Sequence, residues 1–172
     1  MAGGEEHASK KAKVDKPSHE HHMSLGDAVD LEYQGLNLHT LADSKVHVIK
    51  GLGSRADEIM EILNVSTVRE LANWKFGRWA HSIVVLATLE KDDIKRPAES
   101  RLNIDLALDR EHESKTLREI VKLPVSAFQG LTEKTDELLK SLHVETIEKL
   151  GKWKYLEWAR AIASLVDAEE SM

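Results

Sequence analysis

The sequence predicts a mainly all-α fold made of two tandem helical units, and three observations lead to this prediction. The chain has 172 residues, of which 41% are hydrophobic and 31% charged, as is typical of a helix-rich globular protein. It contains no cysteine, which excludes disulfides, thiolate metal sites and a cysteine nucleophile. When the chain is shifted by 79 residues, residues 51–90 align without a gap with residues 130–169, and fifteen of the 40 aligned positions are identical.

The duplication divides the chain into a tail, two units and a linker. We expect a disordered tail over 1–23, a first helical repeat over 24–92, a linker over 93–101 that contains Pro97, and a second repeat over 102–172. The tail carries four lysines that resemble an import signal, but four acidic residues offset their charge. It also carries His19, His21 and His22, which are either a metal-binding cluster or a cloning remnant.

Two short segments precede the aligned units and alternate apolar with polar residues. They are VDLEY (29–33) and NIDLAL (103–108). Alternation of this kind indicates a strand with one buried face. The two segments could therefore pair as a short two-stranded ribbon between the units.

The first aligned helix of each unit has the apolar spacing of an amphipathic helix. Ile59, Ile62 and Leu63 follow the i, i+3, i+4 pattern in the first unit. We expect this helix to end at Asn64, and its counterpart at His143, because Asn and His tolerate the left-handed conformation found just beyond a helix end.

A short second helix follows in each unit and runs to Leu71 or Leu150. Ser66 is a candidate N-cap in the first unit, with Glu70 nearby. In the second unit, Glu145 or Thr146 would take this role.

A longer helix is predicted over about 74–90 and again over 153–169. Trp79, Ile83 and Leu86 share one face of the first helix, and Trp158, Ile162 and Leu165 share the same face of the second. Large aromatic side chains on one face indicate a core, although they could also form a partner or ligand surface. The candidates for such a surface are Trp74, Lys75, Trp79, Trp153, Lys154 and Trp158. His81 aligns with Arg160, so we expect it to be a surface residue rather than a catalytic base.

A glycine-containing hairpin in the first unit carries a family resemblance. The matching residues are Ile49, Gly51, Gly53, Ala56, Leu63, Val65, Thr67, Val68 and Leu71. The pattern resembles the helix-hairpin-helix motif, whose Gly-x-Gly amides and nearby basic residues contact nucleic-acid phosphates. The resemblance implies phosphate contacts at Lys50, Gly51, Gly53 and Arg55. The second unit departs from the pattern at Thr132 and Glu133.

A second resemblance covers most of residues 24–169. The segment SAFQGL (126–131) and the W-K-[FY] start of each long helix resemble the repeat region shared by the N-termini of dinoflagellate luciferase and luciferin-binding protein. That region is separate from the catalytic barrel. The resemblance therefore implies a non-catalytic module, and it assigns no active-site residue to this chain.

The functional prediction is a non-enzymatic interaction or scaffold module that binds another protein or a second copy of itself. No catalytic set, cofactor motif or metal signature is present in the sequence. Nucleic-acid binding through the first hairpin is an alternative, disfavoured by a net charge of −6. Binding of a small apolar ligand between the Trp-bearing helices is another.

The sequence also bears on the membrane and on the compartment. The longest uncharged apolar stretch, residues 83–89, is far shorter than the roughly 20 residues of a membrane span. Together with the lack of cysteine, this favours the cytoplasm, with plastid or nucleus as alternatives.

Overall fold

The computed structural model describes residues 21–91 and 94–170, and these residues are mainly helical, which confirms the predicted fold class. The α-helices are α1 (Leu38–Asp43), α2 (Gly53–Ile62), α3 (Val68–Asn73), α4 (Lys75–Ala87), α5 (Leu117–Ile120), α6 (Glu133–Lys140), α7 (Ile147–Gly151) and α8 (Lys154–Leu165). Short 3-10 turns lie at Leu31–Tyr33, Val46–Val48, Asp105–Ala107, Arg110–His112, Val125–Ala127 and Val166–Ala168.

Elements of the first half have counterparts at a constant distance along the chain. The starts of α1 and α5, of α3 and α7, and of α4 and α8 are each 79 residues apart. The 3-10 turns at Val46–Val48 and Val125–Ala127 have the same spacing. These helices therefore recur at the same 79-residue interval as the aligned sequences.

The predicted ribbon between residues 29–33 and 103–108 does not form in the described residues. Val29 instead forms a single bridge with Ile49, and Leu108 forms one with Phe128. Each segment thus pairs with the loop that precedes α2 or α6 in its own half. Closing this shorter stretch of chain costs less entropy than pairing across the linker. The alternating pattern was wrong about strands with one buried face: Val29 and Leu108 are buried, but Leu31 and Leu106 are exposed and lie in 3-10 turns.

The turns between helices confirm the predicted helix ends and correct one cap. Asn64 and His143 adopt φ values of 60° and 61°. The N-cap of α3 is Thr67 rather than Ser66. The Thr67 hydroxyl accepts the Glu70 N–H at 3.1 Å, and the Glu70 carboxylate accepts the N–H groups of Ser66 and Thr67. In this capping box the N-cap, whose backbone is extended, is the threonine and not the preceding serine. Thr146 caps α7 as one of the two predicted candidates.

The long helix of each half packs on the other half. Helix α4 packs against α5 and α7, and α8 packs against α1 and α3. Both halves contribute to one hydrophobic cluster, in which Ile49, Leu71, Phe128 and Leu150 are fully buried. The predicted boundaries of the two units stay predictions, since a single core joins them.

Two glutamates link the halves in the same crossed manner. The Glu169 carboxylate accepts the N–H groups of Leu38 and His39, at 2.6 and 2.9 Å, at the start of α1. The Glu90 carboxylate accepts those of Leu117 and Arg118, both at 2.9 Å, at the start of α5. The first N–H groups of a helix have no partner within it, so each carboxylate satisfies donors that would otherwise be left unpaired.

The crossed packing brings α7 unusually close to α4. A Cβ atom built on Gly151 would lie 2.5 Å from the Ala80 carbonyl oxygen and 2.7 Å from a Val84 methyl group. The aligned residue on α3 is Ala72, which is buried but carries its methyl group. Glycine at 151 is therefore required by the contact between helices.

Candidate functional site

The first hairpin presents its predicted phosphate contacts to solvent. Lys50, Gly51, Gly53 and Arg55 are all exposed, and Gly51 and Gly53 have φ values of 98° and 69°. Helix α2 begins at Gly53 and has no side-chain cap. Its first amides therefore lack a side-chain acceptor, as an anion-binding helix start requires. The Lys50 ammonium donates to the Gly26 carbonyl at 3.2 Å, while its side chain stays exposed.

The corresponding hairpin of the second half differs at the start of its helix. Thr132 has an extended backbone, with φ of −131°, and its N–H donates to the Thr135 hydroxyl at 3.5 Å. Glu133 follows it in the first turn. The departures of the second unit from the helix-hairpin-helix pattern therefore place the Glu133 carboxylate in the first turn of α6, where it would repel a phosphate.

The predicted tryptophan surface divides into buried and partly exposed residues. Trp74 and Trp153 are buried and precede α4 and α8, whereas Trp79 and Trp158 are half-buried. Lys75 Nζ lies 4.8 Å from the ring centroid of Phe76 and 5.4 Å from that of Trp79. Lys154 Nζ lies 5.0 and 5.3 Å from the centroids of Tyr155 and Trp158. Such cation–π contacts hold each lysine along its aromatic pair.

The crossed packing joins the two predicted groups of site residues. The Trp79 ring lies 6.0 Å from that of Phe128, next to the second hairpin. In the other direction, a Cβ on Gly51 would come within 2.6 Å of the Tyr155 hydroxyl. The first hairpin thus contacts Tyr155 on α8, and the backbone at Gly51 has no room for a side chain.

Part of the predicted helical face is not core, and the helices are shorter than predicted. Helix α4 ends at Ala87 and α8 at Leu165. Ile83 and Ile162 are buried as expected, but Leu86 and Leu165 are about half exposed. Residues seven apart on a helix are offset by about 20°, and the neighbouring helix covers only the start of this row.

An exposed stripe on α4 was not found from the sequence. It consists of Lys75, Arg78, Ser82, Val85 and Leu86 on the helix, together with Leu89 in the turn that follows it. These positions fall within about 100° of the helix circumference. Three of them are apolar, and Val85, Leu86 and Leu89 are 47%, 51% and 69% exposed. The spacing of 3 and 4 residues is visible in the sequence, but only the packing shows that this side is uncovered.

The same positions on α8 carry a different set of residues. They are Lys154, Glu157, Ala161, Ser164, Leu165 and Ala168, all exposed. Glutamate replaces the arginine, and serine and alanine replace Val85 and Leu89. In the second half, Leu165 is therefore the one large apolar side chain left at these positions.

A hydrogen-bonded chain of Tyr33, His47 and Asp57 was also missed by sequence reasoning. His47 Nδ1 lies 2.5 Å from Asp57 Oδ2, and His47 Nε2 lies 3.1 Å from the Tyr33 hydroxyl. The other Asp57 oxygen accepts the His47 N–H at 3.0 Å. Burial and nearby carboxylates raise the pKa of Tyr33. In the second half, Asp136 accepts the N–H of Ser126 in the same way. The backbone bond common to both halves anchors the 3-10 turn that precedes α2 or α6.

His81 lies at a groove between α4 and α8 rather than fully on the surface. It is half-buried, and its Nδ1 donates to the Gly151 carbonyl at 3.2 Å. The groove has a volume of about 290 Å³, and among the described residues its lining includes no tryptophan. It is lined by His81, Gly151, Leu156, Glu157, Arg160, Ala161 and Ser164.

The described residues also bear on metal binding and on membrane insertion. Within residues 21–91 and 94–170, no three His, Asp or Glu side chains are grouped to hold a metal ion. His21 and His22 are exposed, while His19 and the tail lysines lie outside the described residues. None of the described helices is long and apolar enough to cross a membrane. No protein-family model, curated protein or solved structure matches this chain.

Proposed function

We propose that the chain is a non-enzymatic interaction module, built from two copies of one helical unit, that binds a protein partner through the stripe on α4. The observation that carries the proposal is the exposure of Val85 and Leu86 on one side of a helix whose opposite side is buried, next to the exposed Leu89 in the following turn. Adjacent exposed apolar side chains on a folded protein are characteristic of interaction sites.

The comparison with α8 supports a binding role for these residues. Ser164 and Ala168 occupy the positions of Val85 and Leu89 in the second half, and they are also exposed. The fold therefore accommodates small or polar residues at both places. Apolar residues on α4 are not needed for packing, so their presence calls for another role.

A pull-down with matched variants tests the proposal. The double substitution Val85→Ser plus Leu89→Ala gives α4 the residues that α8 carries, and we expect it to abolish retention of a partner while the unfolding midpoint changes little. Leu165→Ser on α8 is the control, and it should leave retention unchanged. The proposal fails if nothing is retained by the wild-type chain, or if both variants retain the same proteins as the wild type.

Nucleic-acid binding through the first hairpin is a second candidate. It is supported by the uncapped start of α2 beside the exposed side chains of Lys50 and Arg55. Lys50→Glu plus Arg55→Glu should then weaken binding of duplex or single-stranded DNA, and binding should fall steeply with salt. Lys134→Glu, at the position aligned with Arg55, is the matched control. Affinity that stays in the millimolar range at low salt would exclude this function.

A further inference from the structure

We propose that the α4 stripe binds an acidic amphipathic helix, with the partner's apolar residues on Val85, Leu86 and Leu89 and its carboxylates beside Lys75 and Arg78. This inference rests on the proposed protein-binding function and specifies the chemistry of the partner. The two ends of the stripe differ, since its cations lie in the first turn of α4 and its apolar residues lie at the other end.

The spacing of the stripe favours a helical partner. Lys75, Arg78, Ser82, Val85 and Leu89 are separated by alternating intervals of 3 and 4 residues. This is the spacing at which one helix packs along another, and it leaves a narrow straight seam. The 13 residues of α4 extend roughly 20 Å, so the seam accommodates about three to four turns of a partner helix.

The charge at the start of α4 favours carboxylates on the partner. Arg78 is exposed, and among the described residues its guanidinium has no hydrogen bond or ion pair. Lys75 is held over the rings of Phe76 and Trp79, so its ammonium has a defined position. The first turn of α4 contains no acidic residue, which leaves the positive end of the helix dipole uncompensated. The first turn of α8, in contrast, contains Glu157.

The chain's own tail is a poor match for this surface. Val14 is the only branched aliphatic residue in residues 1–20, so the tail offers no apolar row to cover Val85, Leu86 and Leu89. A partner helix must supply both features at once. Leucine-type side chains would cover the apolar end, and glutamates or aspartates would lie at the cationic end.

Fluorescence anisotropy with a designed probe tests the proposal on the full chain. The probe is a synthetic helix-forming peptide with leucines at 3- and 4-residue intervals and glutamates on one flank, and a matched peptide carries lysine in place of every glutamate. We expect the glutamate peptide to bind more tightly, by about tenfold at low ionic strength, with the difference shrinking as salt is added.

Two variants assign the binding to the stripe. Arg78→Glu, which gives α4 the residue that α8 carries, should weaken the glutamate peptide by about three- to tenfold. Val85→Ser plus Leu89→Ala should weaken both peptides by about tenfold or more. Glu157→Arg on α8 is the control and should leave binding of both peptides within about twofold.

Several results would overturn the inference. Equal binding of the two peptides, or binding that none of the α4 variants changes, would do so. So would a concentration-dependent dimer, or binding to phosphatidylserine vesicles, that is lost on Val85→Ser plus Leu89→Ala. A partner retained in the pull-down that is indifferent to Arg78→Glu would leave the protein-binding proposal standing and remove this one.

Discussion

The two halves of the molecule share the residues that hold the fold and differ where they face solvent. Thr67 and Thr146 each cap a helix, and Glu90 and Glu169 each accept two amides from the opposite half. The differences gather at two places, which are the starts of α2 and α6 and the outer stripes of α4 and α8. One architecture thus carries two surfaces of unlike chemistry.

The two halves align without a gap even though some aligned positions carry opposite charges, because those positions face solvent. Arg78 and Glu157 occupy equivalent exposed places, so the reversal of charge there leaves the buried core unchanged. Gly53 and Thr132 are likewise aligned, and a helix begins at the first and just after the second, with a left-handed glycine in one half and an extended threonine in the other. Several identical residues, such as Thr67 and Glu90, therefore hold the fold, and exposed positions that differ between the halves are candidates for binding surfaces.

The largest expected effect is at the closest contact between the crossed helices. Gly151→Ala should lower the free energy of unfolding by about 2 kcal/mol, because the new methyl group meets the Ala80 carbonyl and forces α7 away from α4. The reverse change in the other half, Ala72→Gly, should cost about 1 kcal/mol through helix propensity and lost packing. Urea denaturation followed by tryptophan fluorescence measures both.

The predicted loss of stability for Gly151→Ala is opposite to the usual effect of this substitution in a helix. Glycine to alanine inside an unconstrained helix stabilises a protein by up to about 1 kcal/mol. A stabilised Gly151→Ala variant would show that α4 and α7 do not approach as closely as described.

The reciprocal caps give the next largest effect. Glu169→Ala and Glu90→Ala should each lower the free energy of unfolding by about 1–2 kcal/mol, because each leaves two helix N–H groups without their carboxylate. Glu58 serves as the control, since it is also identical in both halves but is exposed and forms no hydrogen bond among the described residues. Glu58→Ala should change stability by less than about 0.5 kcal/mol. Equal effects at all three positions would argue against the crossed capping.

The smallest expected effect is a difference in acid sensitivity between α1 and α5. Glu119 accepts the Thr116 N–H at 2.8 Å, and this hydrogen bond lowers the pKa of the Glu119 carboxyl. The bond stabilises α5 above the unfolded pKa of about 4.3, and that stabilisation is lost as the pH falls through the lower folded value. Helix α1 has Thr40 at this position, so its start should lack this transition.

An NMR titration of backbone amides measures this difference. The Thr116 amide should shift with a midpoint below pH 4.3, and Glu119→Gln should remove the shift. The Asn37 amide, at the equivalent place in α1, is the internal control. A Thr116 shift that persists in the Gln variant would assign it to another carboxylate.

Local structure was largely predictable from the sequence, because it depends on residues close together in the chain. Asn64 and His143 were predicted to be left-handed from side-chain type alone, and both are. The cap at Thr67 was missed by one residue, because Ser66 is an equally good acceptor and only the backbone angles distinguish the two.

The candidate site was less predictable, because apolar spacing shows which side of a helix could be buried but not what covers it. Leu86 was assigned to the core on spacing and is half exposed. The stripe on α4 exists only because its neighbours α5 and α7, from the other half, cover the opposite side. The chain of Tyr33, His47 and Asp57 depends on the turn at Val46–Val48, which has no marked sequence signal.

The exchange of capping residues has a consequence for how the protein is made. The donors at Leu38 and His39 and their acceptor at Glu169 are separated by 131 and 130 residues. A nascent first half emerging from the ribosome has neither this acceptor nor α8 to cover α1 and α3. Its apolar surface stays open until the second half has been synthesised, so the two halves fold together and late, and slow translation of the second half prolongs exposure to chaperones and proteases.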